Sequence, residues 1–320
     1  MPIRVIIARD YDQASEIAAT YAVEEIRNIL AGHWTGILGL ATGNSPVGFY
    51  QNLARAAREG RIDSSRLSSY NLDEYIGLPG RTARERSQNP KSYESFMFRE
   101  LFGLLDKKFR EVHFPGAPLI EQAKMEEELR AHPQDWTETG KSCGRAVLIR
   151  PDAASSYLSW IRESVLEAYA KKIERAGGID LQVVGVGGRG HVGFHESGIP
   201  FEKSHVLLVR LDDDTVGNAV ADGYFSSREE APRYAVTMGA ELIYRARRVL
   251  LLAMGSRKSK AVALSLAENP TDDVPISYGR IYADRGGELL YVIDREAAAD
   301  VLQRLDEIRS RGVVIEDLCA

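Results

Sequence analysis

Apolar residues along this chain fall into two rhythms. Short runs rich in branched aliphatics occupy residues 3–8 (IRVIIA), 35–41 (TGILGLA), 67–75 (LSSYNLDEY) and 179–187 (IDLQVVGVG). Three more occupy 205–211, 247–255 and 288–294. Between them lie longer stretches, 11–31, 47–60, 91–105 and 155–176, with apolar positions at helical spacing. The first rhythm predicts strands and the second helices. Strand-then-helix order over a whole chain predicts an α/β fold, a mostly parallel sheet with helices on both faces. Ligands of such sheets sit at the carboxyl ends of the strands.

One stretch breaks the pattern. Residues 118–155 are polar, mixed in charge and without a clear period. They read as an inserted surface segment within a single domain spanning 1–320. No internal repeat or low-complexity segment divides the chain.

Composition narrows the partners. The 320 residues carry a formal net charge of −5. That balance gives no electrostatic reason to expect nucleic acid or an acidic membrane surface. It leaves room for a local basic site that takes a small anion. No apolar run approaches the ~20 residues of a membrane span, and the N-terminus lacks the apolar core and cleavage site of a signal peptide. Cys143 and Cys319 stand far apart, with no metal-ligand spacing. Two reduced thiols in a cytoplasmic protein is the expectation. A homo-oligomer is compatible with this composition, which does not specify one.

Four motifs carry chemistry. In GLATGNSPVGFY (39–50) a strand turns into a helix. Gly43 permits close approach, Thr42, Asn44 and Ser45 offer donors, and the helix start presents free N–H groups to an anion. This is neither a Walker A motif nor a dinucleotide fingerprint. In LLLAMGSRKSKAVAL (250–264), Arg257, Lys258 and Lys260 crowd a helix start, where the dipole disfavours cations, so a bound anion would explain them. In NLDEYIGLP (71–79), Asp73 and Glu74 are adjacent at a strand end, and alternation lets at most one face a shared pocket. In GVGGRGHVGFHESG (185–198), His191, His195, Glu196 and Arg189 share a glycine-rich turn, a setting for proton transfer near neutral pH.

These segments, together with SYESFMFRELF (92–102), the run from YAVTMG to KAVAL and DVPISYGRIYADRGGELLYVID, resemble in order the glucosamine-6-phosphate deaminase (isomerase) family. The resemblance covers nearly the whole chain except about 118–155. It implies a Rossmann-like sheet and a cytosolic enzyme turning glucosamine 6-phosphate and water into fructose 6-phosphate and ammonia. It implies no metal or redox cofactor. By resemblance, Asp73 is the base that moves the C2 proton, His191 the ring-opening acid and base, and Glu196 the carboxylate that orients it. Thr42, Gly43, Asn44, Ser45 and Lys258 match the phosphate site.

Two departures stand out. Arg189 occupies a position where the family usually has aspartate, and a nearby cation disfavours the protonated form of a histidine. In the lid segment 212–225, Val220 stands where a phosphate-binding arginine is expected. The expectation is therefore that Arg189 supplies the missing cation or meets another anionic group of the substrate; the plainer alternative has it in solvent or paired with Glu196. His195 is expected to pack rather than bind. The basic residues of the family's regulatory phosphate site are absent from 205–209 (HVLLV). Two rival readings are a 6-phosphogluconolactonase-like hydrolase and a phosphosugar sensor without turnover.

Overall fold

Val183 and Val184 are adjacent in sequence and buried in different cores. Such alternation means a sheet buried on both faces. The structure, a computed structural model, describes residues 2–141 and 144–319; Cys143 lies outside them. Its strands are β1 (Arg4–Ala8), β2 (Gly36–Leu40), β3 (Leu67–Asn71), β4 (Asp73–Ile76), β5 (Glu111–His113), β6 (Trp136–Thr139), β7 (Arg145–Ile149), β8 (Leu181–Gly185), β9 (Val206–Arg210), β10 (Tyr234–Met238), β11 (Arg248–Ala253), β12 (Glu288–Asp294) and β13 (Val314–Asp317).

Eight of them form a sheet in the order β13-β1-β12-β11-β8-β2-β3-β5, with every pairing parallel. Leu250 and Leu252 face one core, and Val249, Leu251 and Ala253 face the other. The first core is roofed by the Tyr11–Gly32 and Val47–Arg58 helices, the second by the Ser259–Ala267 and Gly279–Asp284 helices. The α/β class expected from the hydrophobic pattern is thus the observed one. The chain runs outward from β2 in one direction and from β8 in the other, so the crevice between their carboxyl ends is a topological switch point.

A second, antiparallel sheet, β4-β10-β9-β7-β6, lies beside this one. It corrects three readings. The run 205–211 is not a central parallel strand: β9 sits between β10 and β7. The run 67–75 is two strands, broken at Leu72, whose amide donates to the Leu40 carbonyl at 2.9 Å; β3 stays in the parallel sheet and β4 joins the antiparallel one. The segment 118–155 is more than a surface excursion, because β7 is sandwiched between β6 and β9 and buries Ala146, Val147 and Ile149.

The helical stretches also differ in detail. The 91–105 stretch is a helix over Tyr93–Glu100 followed by a tight turn over Phe102–Leu104. The 155–176 stretch widens into π-type turns over Ile161–Glu167. Among the described residues no helix is long and apolar enough to cross a membrane.

Candidate active site

After β2 the chain turns through Thr42–Ser45 into the Val47–Arg58 helix. Gly43 has φ of 102°, a conformation that disfavours any side chain there. Three tyrosines pin the turn. Tyr50 donates its hydroxyl to the Ala41 carbonyl. Tyr11 donates to the Asn44 carbonyl at 3.0 Å and accepts the Gly48 N–H at 2.8 Å. Tyr224, from beyond the lid helix Asp213–Ala221, donates to Asn44 Oδ1 at 3.1 Å. No side chain caps the Val47–Arg58 helix, so its first turn can receive an anion. Lys258, after β11, lines the same cleft. Burial pulls the Lys258 ammonium below its ordinary range, the neighbouring Arg257 charge adds to this, and Asp222 opposes it.

The break at Leu72 places the acid. Asp73 is 4 % exposed and lines the cleft. Its Oδ1 is buried with no hydrogen-bond partner among the described residues. Burial pushes the Asp73 carboxyl up to about 8, the Glu74 charge adds to the rise, and the Thr42 hydroxyl works against it. Glu74 points the other way. It accepts the N–H groups of Tyr75, Tyr93 and Glu94 at 2.9, 3.0 and 2.9 Å, and so caps the Tyr93–Glu100 helix. One carboxylate serves the cleft and its neighbour serves the scaffold.

After β8 the glycine turn brings His191 into the same cleft as the Thr42–Ser45 turn. A Cβ on Gly187 would lie 2.0 Å from His191 Nε2, so only glycine lets the imidazole rest there. His191 Nδ1 lies 3.3 Å from Glu196 Oε2. Glu196 is 2 % exposed, and its Oε1 accepts the Asp212 N–H at 3.1 Å. The carboxylate therefore stands behind the imidazole on its Nδ1 side and fixes its orientation. His195 faces away from the cleft. Its Nε2–H donates to the Ile199 carbonyl at 2.9 Å and its Nδ1 accepts the Ala240 N–H at 3.1 Å. Burial holds it neutral, pulled down to about 4. It packs, as expected.

Arg189 stands outside the cleft. Its guanidinium pairs with Asp212 at 3.2 Å and Asp214 at 3.5 Å, and it lines an outer groove rather than the cleft. It is about half-exposed, as the plainer alternative has it, and its carboxylate partners are Asp212 and Asp214 rather than Glu196. Both partner carboxylates lie at the start of the Asp213–Ala221 helix.

The structure thus gathers Thr42, Gly43, Asn44, Ser45, Asp73, His191 and Lys258 around one cleft, with Glu196 behind His191 and Arg189 elsewhere. Sequence reasoning had not placed Tyr93, Asn218, Asp222 or Tyr224 in the wall, and had seen Arg257 only as part of a basic turn. A tyrosine or asparagine carries no motif of its own. Its placement here depends on the lid helix folding back over the turn after β2.

Comparison with known proteins decides the family. The family model for glucosamine-6-phosphate isomerases/6-phosphogluconolactonase matches residues 9–285. The chain belongs to this family. Among curated relatives, a glucosamine-6-phosphate deaminase of Thermoanaerobacter pseudethanolicus is 33% identical over 298 residues, covering 93% of this chain and 94% of the relative. One of Clostridium botulinum is 30% identical over 297 residues, covering 93% and 98%. Among solved structures, a monomeric glucosamine-6-phosphate deaminase matches with a TM-score of 0.70 and 28% identity, over 93% of this chain and 100% of that one. A 6-phosphogluconolactonase from Trypanosoma brucei matches at 0.56 and 17%, over 94% and 99%, a likeness of fold.

Proposed function

We propose that this member of the glucosamine-6-phosphate isomerase/6-phosphogluconolactonase family converts glucosamine 6-phosphate and water into fructose 6-phosphate and ammonia. The observation that carries the reading is the grouping in one cleft of a buried carboxyl, a carboxylate-backed imidazole and a basic, glycine-containing anion turn.

Each part has a task. The turn at Thr42–Ser45 and Lys258 hold the phosphate, a remote handle whose binding energy can be used at the reacting carbons. His191 carries a proton from the O1 hydroxyl to the ring oxygen and opens the pyranose; Glu196 keeps the ring turned for that transfer. Asp73, as carboxylate, takes the proton from C2 of the open amino-aldehyde. The electron pair left on C2 forms the C1–C2 double bond of an amino-enol, and the aldehyde oxygen takes up a proton given by the C2 ammonium group. Asp73 returns the C2 proton to C1, which gives an iminium ion at C2 and restores the carboxylate. Water adds to that carbon and ammonia leaves. Burial makes Asp73 a stronger base than a solvated carboxylate, and its fixed position beside the carbon supplies much of the rate.

Ammonia release from glucosamine 6-phosphate and hydrolysis of 6-phosphogluconolactone, measured side by side, test the reading. Deamination is expected to be the faster. Faster lactone hydrolysis, or tight phosphosugar binding with no ammonia, would replace it with one of the rival readings.

A further inference from the structure

A phosphomonoester carries nearly two negative charges at neutral pH. One lysine balances only part of that. The lid helix brings Thr215, Asn218 and Ala219 to the cleft, whereas Val220 packs into the apolar cluster that holds Val216 and Phe225. Among the described residues lining the cleft, the permanent cation besides Lys258 is Arg257. It precedes Lys258 on the turn after β11, and its carbonyl lies against Gly188 of the histidine turn. Arginine offers a planar fork that suits phosphate oxygens.

The Arg257 guanidinium reaches toward the lid. Nη2 lies 2.5 Å from Asp222 Oδ1, and Nη1 donates to Asn218 Oδ1 at 3.3 Å. Asp222 itself lines the cleft, near enough to Lys258 to oppose the loss of its proton. A carboxylate thus stands between two cleft cations, where a phosphate group would also be drawn. Arg257 is about half-exposed, so exchanging one anion for another costs it little desolvation.

We infer that Arg257 is the second phosphate-binding cation of this cleft, and that Asp222 is an internal counter-anion which the phosphate displaces. The inference rests on the reading of the cleft as a phosphosugar site. It assigns to the turn after β11 the charge that the lid lacks at Val220. It also couples phosphate arrival to the lid, because the contact given up is the one between turn and lid.

Calorimetric titration of the full chain with inorganic phosphate tests this in wild type, Arg257→Met, Arg257→Lys and Asp222→Asn. Arg257→Met is expected to weaken binding by roughly tenfold or more. Arg257→Lys should lose less, and Asp222→Asn should tighten binding by up to about fivefold. With glucosamine 6-phosphate, the Arg257→Met loss should fall mainly on KM. Equal phosphate affinity in wild type and Arg257→Met overturns the inference. So does a loss in Asp222→Asn as large as in Arg257→Met, which marks the pair as a structural latch. A wild type that binds phosphate through Arg257 and releases no ammonia sinks the deaminase reading and leaves this inference standing.

Discussion

Arg189 Nη1 lies 3.2 Å from Asp212 Oδ2, and the Asp212 N–H is bonded to Glu196, the carboxylate behind His191. The arginine is therefore three contacts from the imidazole, with Asp212 and Glu196 between. Asp212 and Glu196 are both buried, so two acidic groups share one region of low exposure. The guanidinium sets a positive charge against this acidic pair. Replacing Arg189 with alanine should destabilise the fold by about 1 kcal/mol, since the arginine is half-exposed. It should lower kcat severalfold with little change in KM, because Glu196 and not the phosphate turn is disturbed. Arg189→Asp should be worse on both counts, and adding Asp212→Asn to Arg189→Ala should restore part of the loss. Denaturant melts and steady-state kinetics on these variants check the chain of contacts.

With Asp73 as the proposed base, the acid limb of the pH profile is expected to follow its titration. The base must be a carboxylate, and burial raises its pKa to about 8. In the free enzyme kcat/KM should therefore rise with pH along a limb with its midpoint near 8. The same shift has a stability sign. A carboxyl whose folded pKa exceeds its ordinary 3.8 contributes stability fully below 3.8 and loses it as pH rises toward 8. Asp73→Asn should thus be more stable than wild type at pH 9, with the gap closing toward pH 4. Urea titrations at the two pH values measure it.

What the sequence made legible was local. The Thr42–Ser45 turn stands out because a glycine lies between a strand and a helix start, a pattern that fits ordinary capping as well as an anion site. The residue pattern alone leaves open which of Asp73 and Glu74 serves the cleft, and only the family resemblance singles out Asp73, because the choice turns on a break at Leu72 that sends two halves of one apolar run into different sheets. The run 205–211 misled for a related reason: a strand at the middle of a buried antiparallel sheet is apolar on both faces, like a central parallel one. The two arginines escaped because their partners are distant. Arg189 finds Asp212 across 23 residues and Arg257 finds Asp222 across 35. Charge in a motif reveals an appetite for a counter-ion without saying where that counter-ion stands.

His195 separates packing from chemistry within one motif. Its ring is neutral, holding one carbonyl and one amide, and burial takes its pKa from 6.5 down to about 4. A group lowered in this way contributes stability that is present above 6.5 and is lost as pH falls toward 4. His195→Asn lacks the titration. The stability advantage of wild type over this variant should shrink by about 2–3 kcal/mol between pH 7.5 and pH 4.5. An advantage that stays constant with pH would mean that burial leaves the His195 pKa at its unfolded value, and one that grows on acidification would mean that His195 carries its proton in the fold.

The account stands on Asp73 being the group that moves the C2 proton. The most direct measurement compares ammonia release from glucosamine 6-phosphate by wild type and Asp73→Asn under saturating substrate. The asparagine keeps the shape and the phosphate site and removes the base. Loss of at least about a hundredfold in kcat, with KM within a fewfold of wild type, is the predicted result. An Asp73→Asn enzyme that releases ammonia at the wild-type rate would contradict it.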